Sequence, residues 1–355
     1  MTIQTPHEDV RSQATERLGA LATPPGALGR LGELAVWVAA CQGEVPPRPI
    51  EHVRLVIFAG DHGVAQHGVS AFPPAITGAM VRTFLSGRAG VSALARAHDV
   101  QVRVLDIGVD EGFEDLDAAT REALTQHKIR RGSGPIHLED ALSAEETQAA
   151  LEAGAAVARE EIAAGAQLLI SGDMGIGNTT PASAMVAAGL GLPASEVTGR
   201  GTGIGEDALR IKTDVITAAL ARAGERTEDP IETLTALGSA DLAATTGYLL
   251  EAARRGTPVL LDGLMSVACA LTADRIEPGA ATWYAAGHRS TEPAQSMALE
   301  KLGLEPLLDL DLRLGEGSGA VAAVPVVRSA VALLRDVALL AELGAPDAGA
   351  PGAGA

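Results

Sequence analysis

Three glycine-flanked segments of this 355-residue chain hold the residue types that do chemistry. Ser171-Gly-Asp-Met-Gly-Ile-Gly-Asn-Thr-Thr-Pro181 follows an apolar run and opens an Ala-rich helical stretch. Its glycines let amide N–H groups turn inward and the helix N-terminus adds a positive field, a combination suited to phosphate. The same residues read as a tight turn, with Thr179 or Thr180 as helix cap and Pro181 in the first turn. No Gly-Lys-Ser/Thr follows, so this is not a Walker A loop. In Thr198-Gly-Arg-Gly-Thr-Gly-Ile-Gly205, four alternating glycines precede a helical stretch with Lys212. Arg200 and Lys212 would give an anion local positive charge; the alternative is a flexible surface loop with solvated basic side chains. In Leu314-Gly-Glu-Gly-Ser-Gly319, Glu316 stands between glycines at the end of the last apolar run. Partial desolvation would raise its pKa toward the range of a general base. A turn whose Glu faces the next helix's N-terminus explains it equally.

Further candidates are Asp61-His62, Asp173, Asp262 and Gly287-His-Arg-Ser-Thr-Glu-Pro293. An Asp at a strand end either accepts ribose hydroxyls or caps the next helix. His288, Arg289 and Ser290 either hold a phosphate or carboxylate or decorate a turn. The histidines lack metal-ligand spacing and no GxSxG elbow occurs, so neither a metal nor a serine nucleophile is indicated.

These segments must be presented by a scaffold, and the apolar runs before them describe it. Residues 54–59, 101–106, 166–170, 258–261, 281–285 and 306–313 are short and apolar without strict alternation, as in strands buried on both faces. Helical stretches at 77–98, 144–164, 208–224, 240–255 and 265–273 suit crossovers between them. The expectation is an α/β fold: an open, mostly parallel sheet of about six strands with helices on both faces. In such sheets ligands sit beyond the carboxyl ends of the strands, where the unusual residues collect. Residues 50–320 form the large catalytic domain in this reading, 1–49 with 321–345 a small helical domain, and 346–355 a disordered tail.

Composition narrows the partners. With 27 Lys plus Arg against 45 Asp plus Glu the net charge is −18, which argues against nucleic acid and anionic lipid. Aromatic residues make up only 2%, so Ala, Val and Leu must fill the core. Cys41 and Cys269 have no CxxC spacing and read as buried thiols of a reduced, cytoplasmic protein. The first residues show no secretory signal, and the apolar stretch 320–343, interrupted by Pro325, Arg328, Arg335, Asp336 and Glu342, reads as a buried helix rather than a membrane span.

Taken in order, several segments resemble one family, the nicotinate mononucleotide:5,6-dimethylbenzimidazole phosphoribosyltransferases of cobalamin biosynthesis. The matching pieces are Pro24-Pro-Gly-Ala-Leu-Gly-Arg-Leu31, Phe58-Ala-Gly-Asp-His-Gly-Val64, Gly68-Val-Ser70 with Pro73, and Gly172-Asp-Met-Gly-Ile-Gly-Asn-Thr-Thr180. Gly199-Arg-Gly-Thr-Gly203, Leu260-Leu-Asp-Gly263, Gly287-His-Arg-Ser290 with Glu292, and Gly315-Glu-Gly317 follow. The resemblance implies transfer of 5-phosphoribosyl to a benzimidazole nitrogen, a Rossmann-like large domain, a homodimer, and no required metal or cofactor. It implies that Glu316 is the catalytic base. Gly175, Ile176, Gly177, Asn178, Thr179, Gly201, Thr202, Gly203, Lys212, Asp262 and Ser290 would then bind the nucleotide. Met80, in the region 69–88, and Leu314 would form the slot for the acceptor base, with Asp173, His288 and Arg289 in support.

The chain departs from the family pattern at Asp173 and Asp241, where the family usually shows Glu, and at Thr83 and Arg88 near the base slot. Two other classes compete. A nucleotide-dependent oxidoreductase would use the 172–177 turn as a dinucleotide fingerprint, but the acid some 20 residues on, Glu196, lies in a loop-like stretch. In a nucleotide-binding regulatory module Glu316 would be only a cap.

Overall fold

In the computed structural model, which describes residues 3–343, the apolar runs that end in glycine become strands. They are β1 (Val53–Gly60), β2 (Val100–Gly108), β3 (Leu168–Met174), β4 (Val259–Leu261) and β5 (Tyr284–Ala286). All pair in parallel, in the order β2-β1-β3-β4-β5, with Phe58 of β1 opposite Leu105 on one side and Asp173 on the other. The central strands β1 and β3 are buried almost throughout, as a sheet covered by helices requires.

The main sheet has five strands, not six. Of residues 306–313 only Leu308–Asp309 (β7) pairs, with His288–Arg289 (β6), as a separate two-residue ladder. Aspartates at 309 and 311 alternate with leucines there, so the run lacks the continuous apolar character that fills a two-sided sheet. The stretch 77–98 also divides, into helices Ile76–Leu85 and Gly90–Ala97, because Gly87 takes a left-handed backbone (φ 68°) that breaks the first helix.

The scarcity of aromatics is met by bringing backbones together. Helix Ala144–Ala163 crosses helix Ala240–Arg254 so closely that a Cβ on Gly154 would collide with the Ala244 carbonyl, and one on Gly247 with the Leu151 carbonyl. Glycine and alanine at the crossing let main chains fill space that larger side chains occupy elsewhere. Cys41 and Cys269 are free and buried, and burial pushes both thiols well above their ordinary range.

The chain divides into two compact units. One comprises residues 3–4 and His52–Val324 and contains every strand; the other comprises Thr5–Glu51 and the described residues from 325. In the second, helices Glu8–Ala20 and Gly29–Gln42 lie with the later part of helix Ser318–Asp336. The Arg17 guanidinium there donates to the Leu334 and Arg335 carbonyls at 2.8 and 3.0 Å, satisfying acceptors at that helix's C-terminus. Ser318–Asp336 is long and apolar enough to cross a membrane, but 56% of its most apolar stretch is buried, as in a core helix. The tail expected to be disordered, 346–355, lies outside the described residues.

Candidate active site

The loops beyond the carboxyl ends of the strands enclose a cavity of about 410 Å³, within the size range of small-molecule sites. One wall is apolar: Phe72, Ile76 and Met80 from the segment after β1, Met174 at the end of β3, and Leu314. Asn178, Thr179, Gly201, Thr202, Ser290, Glu292 and Glu316 also line it. From the region 69–88, Phe72, Ile76 and Met80 thus line the cavity, whereas Thr83 and Arg88 do not.

Glu316 has a left-handed backbone, φ 66°, between Gly315 and Gly317, which share that conformation. This costs a non-glycine residue about 1 kcal/mol and is uncommon outside functional turns. Gly172 of β3 makes the conformation possible, since a Cβ there would collide with the Glu316 carbonyl. The carboxyl is only 6% exposed for its residue as a whole. Oε2 accepts the Val91 N–H at 3.2 Å, at the start of helix Gly90–Ala97. Burial raises its pKa, the Val91 amide opposes that rise, and the nearby Asp262 charge adds to it; the net direction is upward.

Asp262, following β4, was expected to meet ribose, but its oxygens are taken. Oδ1 accepts the Gly319 and Ala320 amides at 2.8 and 3.0 Å, and Oδ2 accepts the Gly317 amide at 3.1 Å. His288 Nε2 stands 3.4 Å from Oδ1, with its Nδ1 at the Arg289 carbonyl. Burial pushes Asp262 up, but His288 and the amides outweigh it and hold the carboxyl below its ordinary range. Burial likewise opposes charge on His288, and Asp262 reverses this. Asp262 thus fixes the backbone on which Glu316 rides, at the start of helix Ser318–Asp336 and not of the helix that follows β4. His288 borders the cavity, Asp262 does not.

The two glycine loops differ from an open cradle. Ile176 N–H donates to Thr77 Oγ1, Asn178 N–H to the Gly175 carbonyl and Thr180 N–H to the Gly177 carbonyl. Helix Thr179–Leu190 begins without a side-chain cap, so neither threonine plays the expected role; Asn178 Nδ2 instead donates to Asp173 at 2.6 Å. Gly177 packs against Ala65 and does not border the cavity. In the second loop, Gly201 N–H is held by Glu292 and Gly203 N–H by the Arg200 carbonyl. Thr202 Oγ1 accepts from the Ala71 amide. Gly203 sits behind this lining, beside the Arg313 guanidinium.

Positive charge arrives differently from expectation. Arg200 pairs with Glu206, and Arg289 turns to Asp309 and Ser296, so neither reaches the cavity. The aspartate of β7, next to Arg289 in the ladder, supplies the competing partner. Lys212 is fully buried beneath the loops, donating to Thr179 Oγ1 and the Gly199 carbonyl at 2.8 and 2.9 Å. Burial lowers its pKa to about 8. Arg313, three residues before Glu316, borders the cavity instead. Sequence reasoning missed it, although a basic residue in the segment ending at Glu316 was a usable signal.

Asp173 also borders the cavity; its Oδ1 takes the Asn178 amide while its carboxyl faces Asp241. Burial and the Asp241 charge push the Asp173 carboxyl well above its ordinary range. Asp241 stands 3.4 Å from His62, which lies under Gly175 rather than in the cavity. The two positions where the family usually has Glu therefore touch each other. Asp61 accepts the Asp110 amide at 2.9 Å and is structural.

A family model described as Phosphoribosyltransferase matches residues 3–344. The nicotinate-nucleotide--dimethylbenzimidazole phosphoribosyltransferase of Mycolicibacterium paratuberculosis is 50% identical over 346 residues, 98% of this chain and 97% of that protein. Its namesake from Mycobacterium tuberculosis is 48% identical over 342 residues, 96% of this chain and 93% of that one. The crystal structure of CobT from Thermus thermophilus superposes with a TM-score of 0.89 at 44% identity, covering 96% of this chain and 99% of that one. With a family model matched from end to end and identity sustained along nearly the whole length, the chain belongs to the nicotinate-nucleotide--dimethylbenzimidazole phosphoribosyltransferase family.

Proposed function

We propose that the chain transfers the 5-phosphoribosyl group of nicotinate mononucleotide to 5,6-dimethylbenzimidazole or a related base, giving α-ribazole 5′-phosphate and nicotinate for the nucleotide loop of cobalamin. The observation that supports this best is Glu316, a buried carboxyl of raised basicity that borders a cavity lined in part by Phe72, Ile76, Met80 and Leu314. The flat base lies between Met80, Phe72 and Leu314. Glu316 takes its azole N–H proton while the other ring nitrogen attacks C1′ of the ribose. The bond from C1′ to the pyridine nitrogen breaks, its electron pair stays on nitrogen, and nicotinate leaves neutral at that nitrogen. The Glu316 charge also favours positive character at C1′. Proton transfer of this kind contributes ~10²–10⁴-fold, so the remainder rests on holding both substrates in line.

The donor's 5′-phosphate is assigned to the face formed by Thr179, Gly201, Thr202 and Ser290, with Lys212 beneath and Arg313 at the rim. The start of helix Thr179–Leu190 supports that placement, its dipole favouring an anion. The family resemblance supports a homodimer in the cytoplasm, and sedimentation of the purified chain tests the dimer.

The deciding experiment supplies nicotinate mononucleotide and 5,6-dimethylbenzimidazole and follows nicotinate release. Turnover by the unaltered chain, with a loss of at least ~10² in rate for Glu316→Gln, is the expected result. No release with any azole or phenol acceptor would sink the proposal.

A further inference from the structure

The loop 199–203 is gripped by a carboxylate that the reaction scheme leaves unused. Glu292, just before helix Pro293–Leu302, is buried. Its Oε1 accepts the Gly201 N–H at 2.7 Å. Its Oε2 lies against Gly199, where a Cβ would collide with it. Lys212, from helix Glu206–Ala223, holds the same loop by the Gly199 carbonyl and ties it to Thr179. Carboxylate on amide and ammonium on carbonyl thus clamp neighbouring peptide groups, and Gly201 and Thr202 of this loop border the cavity.

We propose that Glu292 is a positioning residue for the donor's 5′-phosphate, fixing loop 199–203 and, through its charge, the ammonium of Lys212. The inference rests on the phosphate placement given above. Lys212 lies behind the cavity lining rather than on it, so it acts on the phosphate through Thr179 and the 199–203 loop that it holds. Burial depresses the Lys212 pKa to about 8, and the charged group opposing that depression is Glu292. The other groups facing the ammonium, the Thr179 hydroxyl and the Gly199 carbonyl, are neutral.

A carboxylate in this role has consequences that a passive brace lacks. Glu292→Gln keeps the shape and removes the charge. The KM for nicotinate mononucleotide rises about tenfold, as expected for loss of a charged hydrogen bond, while kcat at saturating donor is little changed. Lys212 then loses its proton sooner, so the alkaline descent of kcat/KM moves to lower pH by about one unit. Glu292→Asp keeps the charge but draws it back from Gly201, raising KM while leaving the descent near its original pH. It also serves as the readout if Glu292→Gln does not fold. An unmoved alkaline descent in Glu292→Gln, or tighter donor binding in either variant, overturns the proposal. Lys212→Met separates the two levels. An unchanged donor KM there removes the phosphate from this loop, whereas a raised KM beside an inert Glu292→Gln overturns the role of Glu292 alone.

Discussion

Asp262 and Glu316 are two buried carboxyls from neighbouring loops, and the Asp262 charge reaches Glu316. Asp262 collects three backbone amides and a histidine and is held below its ordinary pKa. Glu316 collects one amide and is pushed above its own. Burial raises both, so the number of donors decides the direction. The carboxyl with full partners is fixed as an ion and fixes the backbone around it. The one with a single partner keeps the basicity needed to take a proton.

The contrast breaks most sharply on Glu316→Gln. Activity falls by ~10²–10⁴ while the melting temperature holds, since an amide replaces a poorly solvated carboxylate. Calorimetry beside the nicotinate-release assay checks both halves; a large drop in melting temperature would make Glu316 structural. Next is Asp262→Asn, which orphans buried amides and should cost ~2–3 kcal/mol of stability, visible in denaturant melts, with a smaller loss of activity than at Glu316. Equal activity losses at the two positions would erase the distinction.

The same variant sharpens the electrostatic half. The ascending acid limb of kcat should lie above the ordinary glutamate range, because burial raises Glu316. In Asp262→Asn it should move to lower pH, because a negative neighbour that favoured the protonated form is gone. A limb that stays put would mean that burial alone sets the basicity.

Smallest is the pH dependence of stability from the Asp262–His288 pair. The lowered Asp262 pKa contributes stability above the ordinary aspartate range, lost as pH falls through its folded value. The raised His288 pKa contributes below the ordinary histidine range, lost as pH rises through its folded value. The pair therefore helps most in mildly acidic solution, and a melting-temperature series across pH should lose that component in Asp262→Asn.

Much of this arrangement was legible in the residues. Apolar runs closing on Gly60, Gly108 and Gly172 located the three longest strands, because a two-sided parallel sheet leaves little other composition for them. Glu316 stood out because a lone carboxylate between glycines has few local partners. What could not be read was competition for hydrogen bonds. Asp262 looked like a ribose acceptor until the Gly317, Gly319 and Ala320 amides were found on it, and those lie more than fifty residues away. Arg289 looked free for an anion, but Asp309 claims it through a ladder too short to announce itself. Asp241 offered a signal that went unweighed: an acid inside Ala240-Asp-Leu-Ala-Ala244 must have a buried partner, here Asp173.

The left-handed backbone at Glu316 has an evolutionary consequence. Glycine or asparagine would relax that turn, so at this codon chemistry and folding pull in opposite directions. Once selection for turnover lapses, drift toward the more stable chain runs through this position. A descendant of this lineage that has abandoned the reaction should therefore keep Asp262 and its amides long after Glu316 is gone.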